Sequence, residues 1–234
     1  MSDRGERVIK RLRGMSNDDN VRGMARYGIA TAGTLGISMP EIRRMAKELG
    51  KDHELALELW KSKIHEARIL AALIAEPKRM TRRTMELWVK DFDSWDVCDQ
   101  VVSNLFDKTS VAYELAFVWS VREEEYVRRA GYVMMAALAV HDKPASDRAF
   151  LDFLPVIVAG ANDNRNFVRK AVNWALRQIG KRNLSLNQAA ISCAQEIAGL
   201  DSNSAKWIAA DALRELKDPK IQERLANKSK KRNT

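Results

Sequence analysis

The sequence has few of the residues from which disulfides, metal sites and membrane spans are built. Its two cysteines, Cys98 and Cys193, lie far apart and form no CxxC pair, a pattern typical of reduced thiols. The three histidines, His53, His65 and His141, show no spacing such as HExxH, so we expect no metal site. No apolar run reaches membrane-spanning length, and the N-terminus lacks the apolar core of a signal peptide. We therefore expect a cytoplasmic protein that neither crosses nor binds a membrane.

Long alternating runs flanked by turn residues, which indicate β-strands, are also missing. Nearly every segment has a helical period instead, and several helix ends are marked, as by Ser38 before Pro40 at a start and by Gly50 at a stop. Later helices are predicted over 146–158 and 219–225, among others. The connections are short, which favours antiparallel neighbours. The sequence therefore predicts an all-α fold.

A weak internal repeat suggests how the helices are arranged. Val127-Arg128-Arg129-Ala130 recurs as Val168-Arg169-Lys170-Ala171, and Ser204 to Ala209 is an approximate third copy. A period of about 40 residues is typical of HEAT repeats, which are stacked pairs of helices. We expect antiparallel helix pairs stacked into a curved superhelix, with one helix of each pair lining a basic concave face.

The composition fits one globular unit with a charged end. Hydrophobic residues make up 46% of the chain and charged residues 30%, so the chain can build a core. We predict a single HEAT-like domain over 1–227 and a disordered basic tail over 228–234, where Lys and Arg dominate. The alternative for this tail is an auxiliary contact to phosphate.

The charge balance indicates the class of partner. The chain has 40 basic and 31 acidic residues and a net charge of +9. Such an excess favours an anionic partner, with nucleic acid first and a membrane surface second. The longest conspicuous basic stretch, 164–195, contains no acidic residue.

A helix over 166–182 would have two distinct faces. One face carries the apolar residues Val168, Val172, Ala175 and Ile179. The roughly opposite face carries Lys170, Trp174, Arg177 and Lys181. Two interpretations stay open: a solvated basic face whose indole packs under a neighbouring helix, or a binding surface for a polyanion.

The stretch 93–99 is the second informative one. Asp93 or Ser94 can cap a helix, and Asp96 lies in its first turn, where the helix dipole favours a carboxylate. Asp99 lies on the edge of the apolar arc, where it is partly desolvated and needs a partner. An Arg that pairs with Asp99 for packing is one interpretation, and a functional carboxylate is the other.

Arg129 lies in a segment that is apolar almost all round. A buried Arg needs a carboxylate or a phosphate, and Asp99 or a nucleic-acid phosphate could supply it. If these helices share one surface, that surface holds one carboxylate, the indoles of Trp95 and Trp174, and a ring of cations. Aromatics around one acid suit a substrate that is or becomes cationic, and the basic rim suits an anionic backbone.

These residues resemble the bacterial DNA alkylation repair glycosylases of the AlkD-like, HEAT-repeat type. The resemblance extends over most of the chain, from about Arg22 to Leu216. It rests on short motifs in a specific order: Gly36-Ile37-x-x-Pro40, His65-Glu66-x-Arg68, Trp95-Asp96-x-x-Asp99, Arg129-Ala130 and Lys170-Ala171-x-x-Trp174-x-Leu176-Arg177. Ser38-Met39 and Asn166-Phe167 depart from the family's pattern, which bears on duplex contacts and lesion preference.

The resemblance implies hydrolysis of the N-glycosidic bond of N3- or N7-alkylated purines in double-stranded DNA. Asp99 matches the catalytic aspartate that orients water and stabilises the cationic deoxyribose. Trp95 and Trp174 match the tryptophans that contact the lesion nucleotide, and Arg129 matches the arginine beside them. Tyr27 matches a further aromatic near the DNA. The leaving base is already cationic, so neither a general acid, a lyase lysine nor a cofactor is implied.

The remaining expectations concern DNA contacts and assembly. We expect the chain to act as a monomer. The basic residues predicted to hold the DNA backbone are Arg165, Arg169, Lys170, Arg177 and Lys181. Two alternatives stay open: a non-catalytic HEAT module that binds DNA or RNA, and a protein-interaction scaffold.

Overall fold

The computed structural model describes residues 1–230 of the chain, and all regular secondary structure in this part is helical. The all-α prediction is therefore confirmed. The chain divides into two compact units, with the boundary between Val111 and Ala112. The single domain expected over 1–227 stays a prediction. No helix within 1–230 combines the length and the apolar character needed to cross a bilayer.

The first unit is built around a short, almost fully buried helix, α5. Its α-helices are α1 (Asp3–Arg13), α2 (Asp18–Ala25), α3 (Met39–Leu49), α4 (His53–Lys61), α5 (His65–Ile74), α6 (Arg82–Lys90) and α7 (Trp95–Asn104). Two 3-10 turns, Pro77–Arg79 and Phe106–Lys108, follow α5 and α7. Helix α5 packs against α3, α4 and α7, so any charged group on it must find its partner inside the protein.

Side-chain caps and aromatic stacking define the elements around α5. The predicted start at Ser38 has a capping box with Glu41, and α3 ends before Gly50 as predicted. The indoles of Trp60 and Trp88 stack with centroids 4.0 Å apart and planes 2° from parallel. Both rings are buried, so α4 and α6 are joined through this stack.

The second unit contains longer helices. They are α8 (Ala112–Ser120), α9 (Glu125–His141), α10 (Asp147–Leu151), α11 (Leu154–Gly160), α12 (Asn166–Gly180), α13 (Leu184–Ala198), α14 (Asn203–Leu216) and α15 (Pro219–Lys230). Helix α9 packs against α8 and α12, and α12 packs against α13 and α14. Gly131 permits the contact with α8, since a Cβ there would lie 2.4 Å from the backbone nitrogen of Ser120.

Two predicted helix boundaries in this unit are wrong. The helix expected over 146–158 is broken into α10 and α11, because Pro155 has no N–H to donate and its ring clashes with the carbonyl four residues earlier. Helix α15 runs to Lys230 instead of ending at Leu225. Residues 228–230 of the predicted tail therefore belong to this helix, where Lys228 Nζ donates to the Arg182 carbonyl at 2.7 Å. The rest of that tail, 231–234, lies outside the described residues.

Candidate functional site

Helix α7 of the first unit carries two of the predicted site residues one turn apart. Trp95 is its first residue, and both Trp95 and Asp99 are half-buried. The partial burial of Asp99 agrees with its predicted place on the edge of the apolar arc, whose members Cys98 and Val102 are fully buried. Its carboxylate is therefore partly desolvated, which strengthens its interaction with a nearby positive charge.

The indole of Trp95 is held by a backbone carbonyl just after α2. Its Nε1 donates a hydrogen bond of 3.0 Å to the carbonyl of Tyr27, just after α2. The turn continues through Gly28, whose φ of 74° is the left-handed conformation that glycine adopts without strain. The Tyr27 side chain is 73% exposed. The structure thus brings together two predicted site residues, with the Tyr27 ring free to contact a partner.

Asp96, between Trp95 and Asp99, lies in the first turn of α7 and also contacts two side chains, those of His65 and Ser94. Its Oδ2 lies 2.8 Å from Nε2 of His65, and its Oδ1 accepts a 2.8 Å bond from the Ser94 hydroxyl. Ser94 occupies the cap position without a capping bond to the backbone. Burial opposes the charge on His65, but the bond and the charge of Asp96 outweigh it, so the pKa of His65 is raised. Burial also opposes the charge on Asp96, whose pKa His65 nevertheless lowers.

Glu66, the next residue of α5, binds the loop before α3. Its carboxylate accepts backbone hydrogen bonds from Leu35, from Gly36 at 2.7 Å and from Ile37 at 3.2 Å. Glu66 is only 1% exposed. A buried carboxylate with three N–H donors is well compensated, so the Gly36-Ile37 motif and Glu66 form one structural element.

Arg68 binds the segment directly before α7. Its Nη1 donates to the Asp91 carbonyl and to Asp93 Oδ2, each at 3.1 Å, and its guanidinium lies 5.5 Å from the Trp60 ring centroid. We call His65, Glu66 and Arg68 the α5 clamp. In the sequence these residues stand out only as a motif, and no role was predicted for them. The available signal was three ionisable residues within four positions of an otherwise apolar helix.

In the second unit, Arg129 of α9 is 5% exposed, as its apolar surroundings predicted. Its Nη1 donates to the Phe167 carbonyl at 2.5 Å, and the Phe167 ring lies 5.9 Å from that of Tyr126. Arg129 therefore ties α9 to the first turn of α12.

Helix α12 has the two predicted faces. The apolar residues Val168, Val172, Ala175 and Ile179 are all fully buried. On the other face Trp174 is half-buried and Lys170 is exposed. Within residues 1–230, Lys170 has no carboxylate at ion-pair distance, so its charge is available to a ligand.

The remaining cations of this stretch have intramolecular partners. Arg165 Nη2 lies 2.5 Å from Asp163 Oδ2 and its Nη1 donates to the Glu123 carbonyl. Arg169 lies over the ring of Trp207, 5.1 Å from the centroid. Such contacts orient both guanidinium groups.

Arg177 and Lys181 bind acidic residues of α14. Arg177 forms ion pairs with Glu215 and, at 3.4 Å, with Asp211, while Lys181 Nζ lies 2.5 Å from Glu215 Oε1. Burial opposes ionisation of Glu215, but Lys181 and Arg177 outweigh it and lower its pKa. The acid-free segment is therefore partly neutralised by a helix that follows it in the chain.

Within residues 1–230, no group of three or more His, Cys, Asp or Glu side chains is arranged to hold a metal ion. The two units divide the predicted site residues: Tyr27, Trp95 and Asp99 belong to the first, and Arg129, Trp174 and the basic residues belong to the second.

Comparison with known proteins identifies the family. The sequence model of the family described as DNA alkylation repair enzyme matches residues 8–216. No curated protein matches the chain. A solved structure described as a new family of proteins related to the HEAT-like repeat DNA glycosylases, with affinity for branched DNA structures, is 19% identical over 89% of this chain and 94% of its own, with a TM-score of 0.74. An engineered protein is 14% identical over 75% of this chain and 90% of its own, and its TM-score of 0.39 supports no argument.

Proposed function

Because the chain belongs to the DNA alkylation repair enzyme family and has a HEAT-like helical fold, we propose that it is a DNA glycosylase. Its substrates would be N3- and N7-alkylated purines in double-stranded DNA, whose N-glycosidic bond it hydrolyses without lyase activity. The family and the fold support a role in DNA alkylation repair. The specific reaction is our proposal.

One observation carries this proposal: α7 presents a half-buried carboxylate and a fixed indole one turn apart. Trp95 is held by its bond to the Tyr27 carbonyl, and Asp99 lies on the same rigid helix. A fixed carboxylate costs little reorganisation when positive charge develops beside it, and partial desolvation strengthens its effect.

The proposed chemistry needs only one acid. An alkylated purine of this kind carries a positive charge, so it leaves as a neutral base without protonation by a general acid. As the bond breaks, positive charge develops on the deoxyribose, where Asp99 stabilises it and orients the attacking water. Trp95 would pack against the same sugar, because aromatic faces attract cations.

Residues of the second unit are proposed to bind the DNA around the lesion. Trp174 and Arg129 are assigned to the lesion nucleotide by the family resemblance. Lys170 is the strongest candidate for a phosphate contact, since it is exposed and has no ion-pair partner within 1–230. Arg165, Arg169, Arg177 and Lys181 remain predicted DNA contacts, although ligand binding would compete with their present partners.

Release of free base from methylated duplex DNA tests the proposal. We expect the wild-type protein to release 3-methyladenine or 7-methylguanine, and Asp99→Asn to be slower by on the order of 10²-fold or more. Asp3→Asn is the control, because Asp3 is an exposed acid of α1, outside both α7 and the α5 clamp. The proposal fails if the wild-type protein releases no base or if Asp99→Asn is as active.

A second candidate is a non-catalytic module that binds branched DNA, since the structural relative of 19% identity is described as having affinity for branched DNA structures. It would bind a four-way junction more tightly than linear duplex and release no base from either. A protein-interaction scaffold would instead show little affinity for any DNA at moderate salt.

A further inference from the structure

We propose that the α5 clamp positions Trp95 and Asp99, and that its His65–Asp96 pair makes this positioning depend on pH. The inference rests on the proposed glycosylase function, in which these two residues act on the lesion. His65, Glu66 and Arg68 are positioning residues here, since they act through α7 and its flanking segments.

The clamp binds residues that precede and follow Trp95 in the sequence. Arg68 binds Asp93, two residues before Trp95, and the Asp91 carbonyl. His65 binds Asp96, the residue after Trp95. Since α7 is a continuous helix from Trp95 to Asn104, fixing its first turn also fixes the backbone position from which the Asp99 side chain projects.

The same helix fixes the loop that leads into α3. Glu66 accepts bonds from three successive backbone N–H groups of that loop, while the backbone N–H of His65 donates to the Gly33 carbonyl at 2.9 Å. Helix α5 thereby joins the loop between α2 and α3 to the segment that starts α7. Tyr27 lies at the N-terminal end of that loop, where its carbonyl holds Trp95.

Packing alone does not require this arrangement. The three clamp residues are exposed by 3%, 1% and 5% in chain order. Well-packed apolar residues often give equal stability without the desolvation cost of buried charges. Charged pairs differ because each fixes a partner at one distance and one direction, and this is the property that positions catalytic groups.

The acids around His65 determine how the clamp responds to pH. Asp96 contacts the imidazole directly, and Glu66 and Asp93 add negative charge nearby. Burial acts in the opposite direction, and the net effect is a raised pKa for His65. The ion pair therefore exists between the lowered pKa of Asp96 and the raised pKa of His65, and it is lost as pH rises through the folded-state pKa of His65. We expect α7 to loosen over that range.

Three variants test the clamp. His65→Ala removes the pair, whereas His65→Gln keeps a donor near the Nε2 position but cannot titrate. His53→Ala is the matched control: His53 is also buried in the first unit, but burial and Arg79 lower its pKa. Amide hydrogen exchange over residues 95–104 and base release between about pH 5 and 9, the range around the ordinary histidine pKa, are measured for each.

We expect His65→Ala to exchange its α7 amides about tenfold faster and to release base about tenfold more slowly, as for loss of one charge-assisted hydrogen bond. In the wild type we expect base release to decline as pH rises through the His65 pKa. His65→Gln should keep near-wild-type exchange at neutral pH and should not show this decline. His53→Ala should leave α7 exchange unchanged.

The inference is overturned if His65→Ala and His53→Ala affect α7 exchange equally, or if His65→Gln keeps the wild-type pH profile. If His65→Ala does not fold, the pH profile of His65→Gln decides. If the wild-type protein releases no base, the proposed function has failed, but exchange over 95–104 still shows whether the clamp positions α7.

Discussion

Helices α7 and α12 are the two elements on which the proposed function depends, and they are built differently. Helix α7 is held at its start by His65 and Arg68 of α5, which are themselves buried, and by the Tyr27 carbonyl. Helix α12 and the residue that follows it carry four cations, Arg169, Lys170, Arg177 and Lys181, yet Arg177 and Lys181 are shared with Glu215 of α14. The less conspicuous helix is the more precisely fixed one.

This difference suggests a division of work. A helix with a fixed indole and carboxylate suits chemistry, which depends on geometry. A helix with one exposed cation and others in ion pairs suits binding to the phosphate backbone of DNA, because such binding depends on charge and tolerates small displacements.

The largest effect is expected from Glu66→Ala in the clamp. Three backbone N–H groups lose their acceptor at a buried site, so we expect the free energy of unfolding to fall by about 3 kcal/mol. Urea unfolding measures it. The control Glu6→Ala changes an exposed acid of α1 and should cost less than about 0.5 kcal/mol. Equal losses for both variants would contradict a clamp role.

A smaller effect is expected from Trp95→Phe. The ring is retained, but the bond to the Tyr27 carbonyl is lost, so we expect base release to slow about fivefold, as for loss of about 1 kcal/mol. Trp207→Phe is the control, since Trp207 contacts Arg169 through its ring face. A result in which both variants match the wild type would show that the orientation of Trp95 is unimportant.

On the α12 side, exposed and paired cations should behave differently. Lys170→Ala should lower the salt slope of DNA binding by about one unit, and Arg177→Ala by clearly less, because Arg177 already faces Glu215 and Asp211. Fluorescence anisotropy between low and moderate salt measures both slopes. Equal slopes would show that the ion pairs open in the complex.

Glu215→Gln should have the smallest effect. Removing this charge leaves Arg177 and Lys181 more available, so duplex affinity should rise modestly. In the wild type the lowered pKa of Glu215 means that its ion pairs stabilise the fold above the ordinary Glu pKa and are lost as pH falls through the folded-state value. The variant should therefore lose part of the acid sensitivity of unfolding. Unchanged acid unfolding would indicate that the pairs contribute nothing to stability.

The sequence predicted those features that depend on periodicity and local signals. The buried face of α12, the capped start at Ser38 and the interior position of Arg129 follow from residue spacing alone. The break at Pro155 was missed although its cause is local, because the apolar period continues across it. The extension of α15 to Lys230 was missed because its charged end carries no apolar stripe.

Contacts between distant segments could not be predicted from spacing. Glu215 lies 38 residues after Arg177, so an acid-free segment gave no sign of its neutralisation. Asp96 was explained by the helix dipole, which is a local effect, and its partner His65 lies 31 residues earlier. Both partners were missed for one reason. Packed helices bring together residues that are far apart in the sequence, and a single sequence does not show which residues become neighbours.

The most direct test is single-turnover base release from a methylated duplex, with binding measured in parallel. We expect Asp99→Asn to lower the rate at saturating protein by on the order of 10²-fold or more and to leave the Kd nearly unchanged. Lys170→Ala should raise the Kd and leave the rate at saturating protein unchanged. A wild-type protein without base release, or a loss of rate in Lys170→Ala equal to that in Asp99→Asn, would contradict the assignment of chemistry to α7 and of binding to α12.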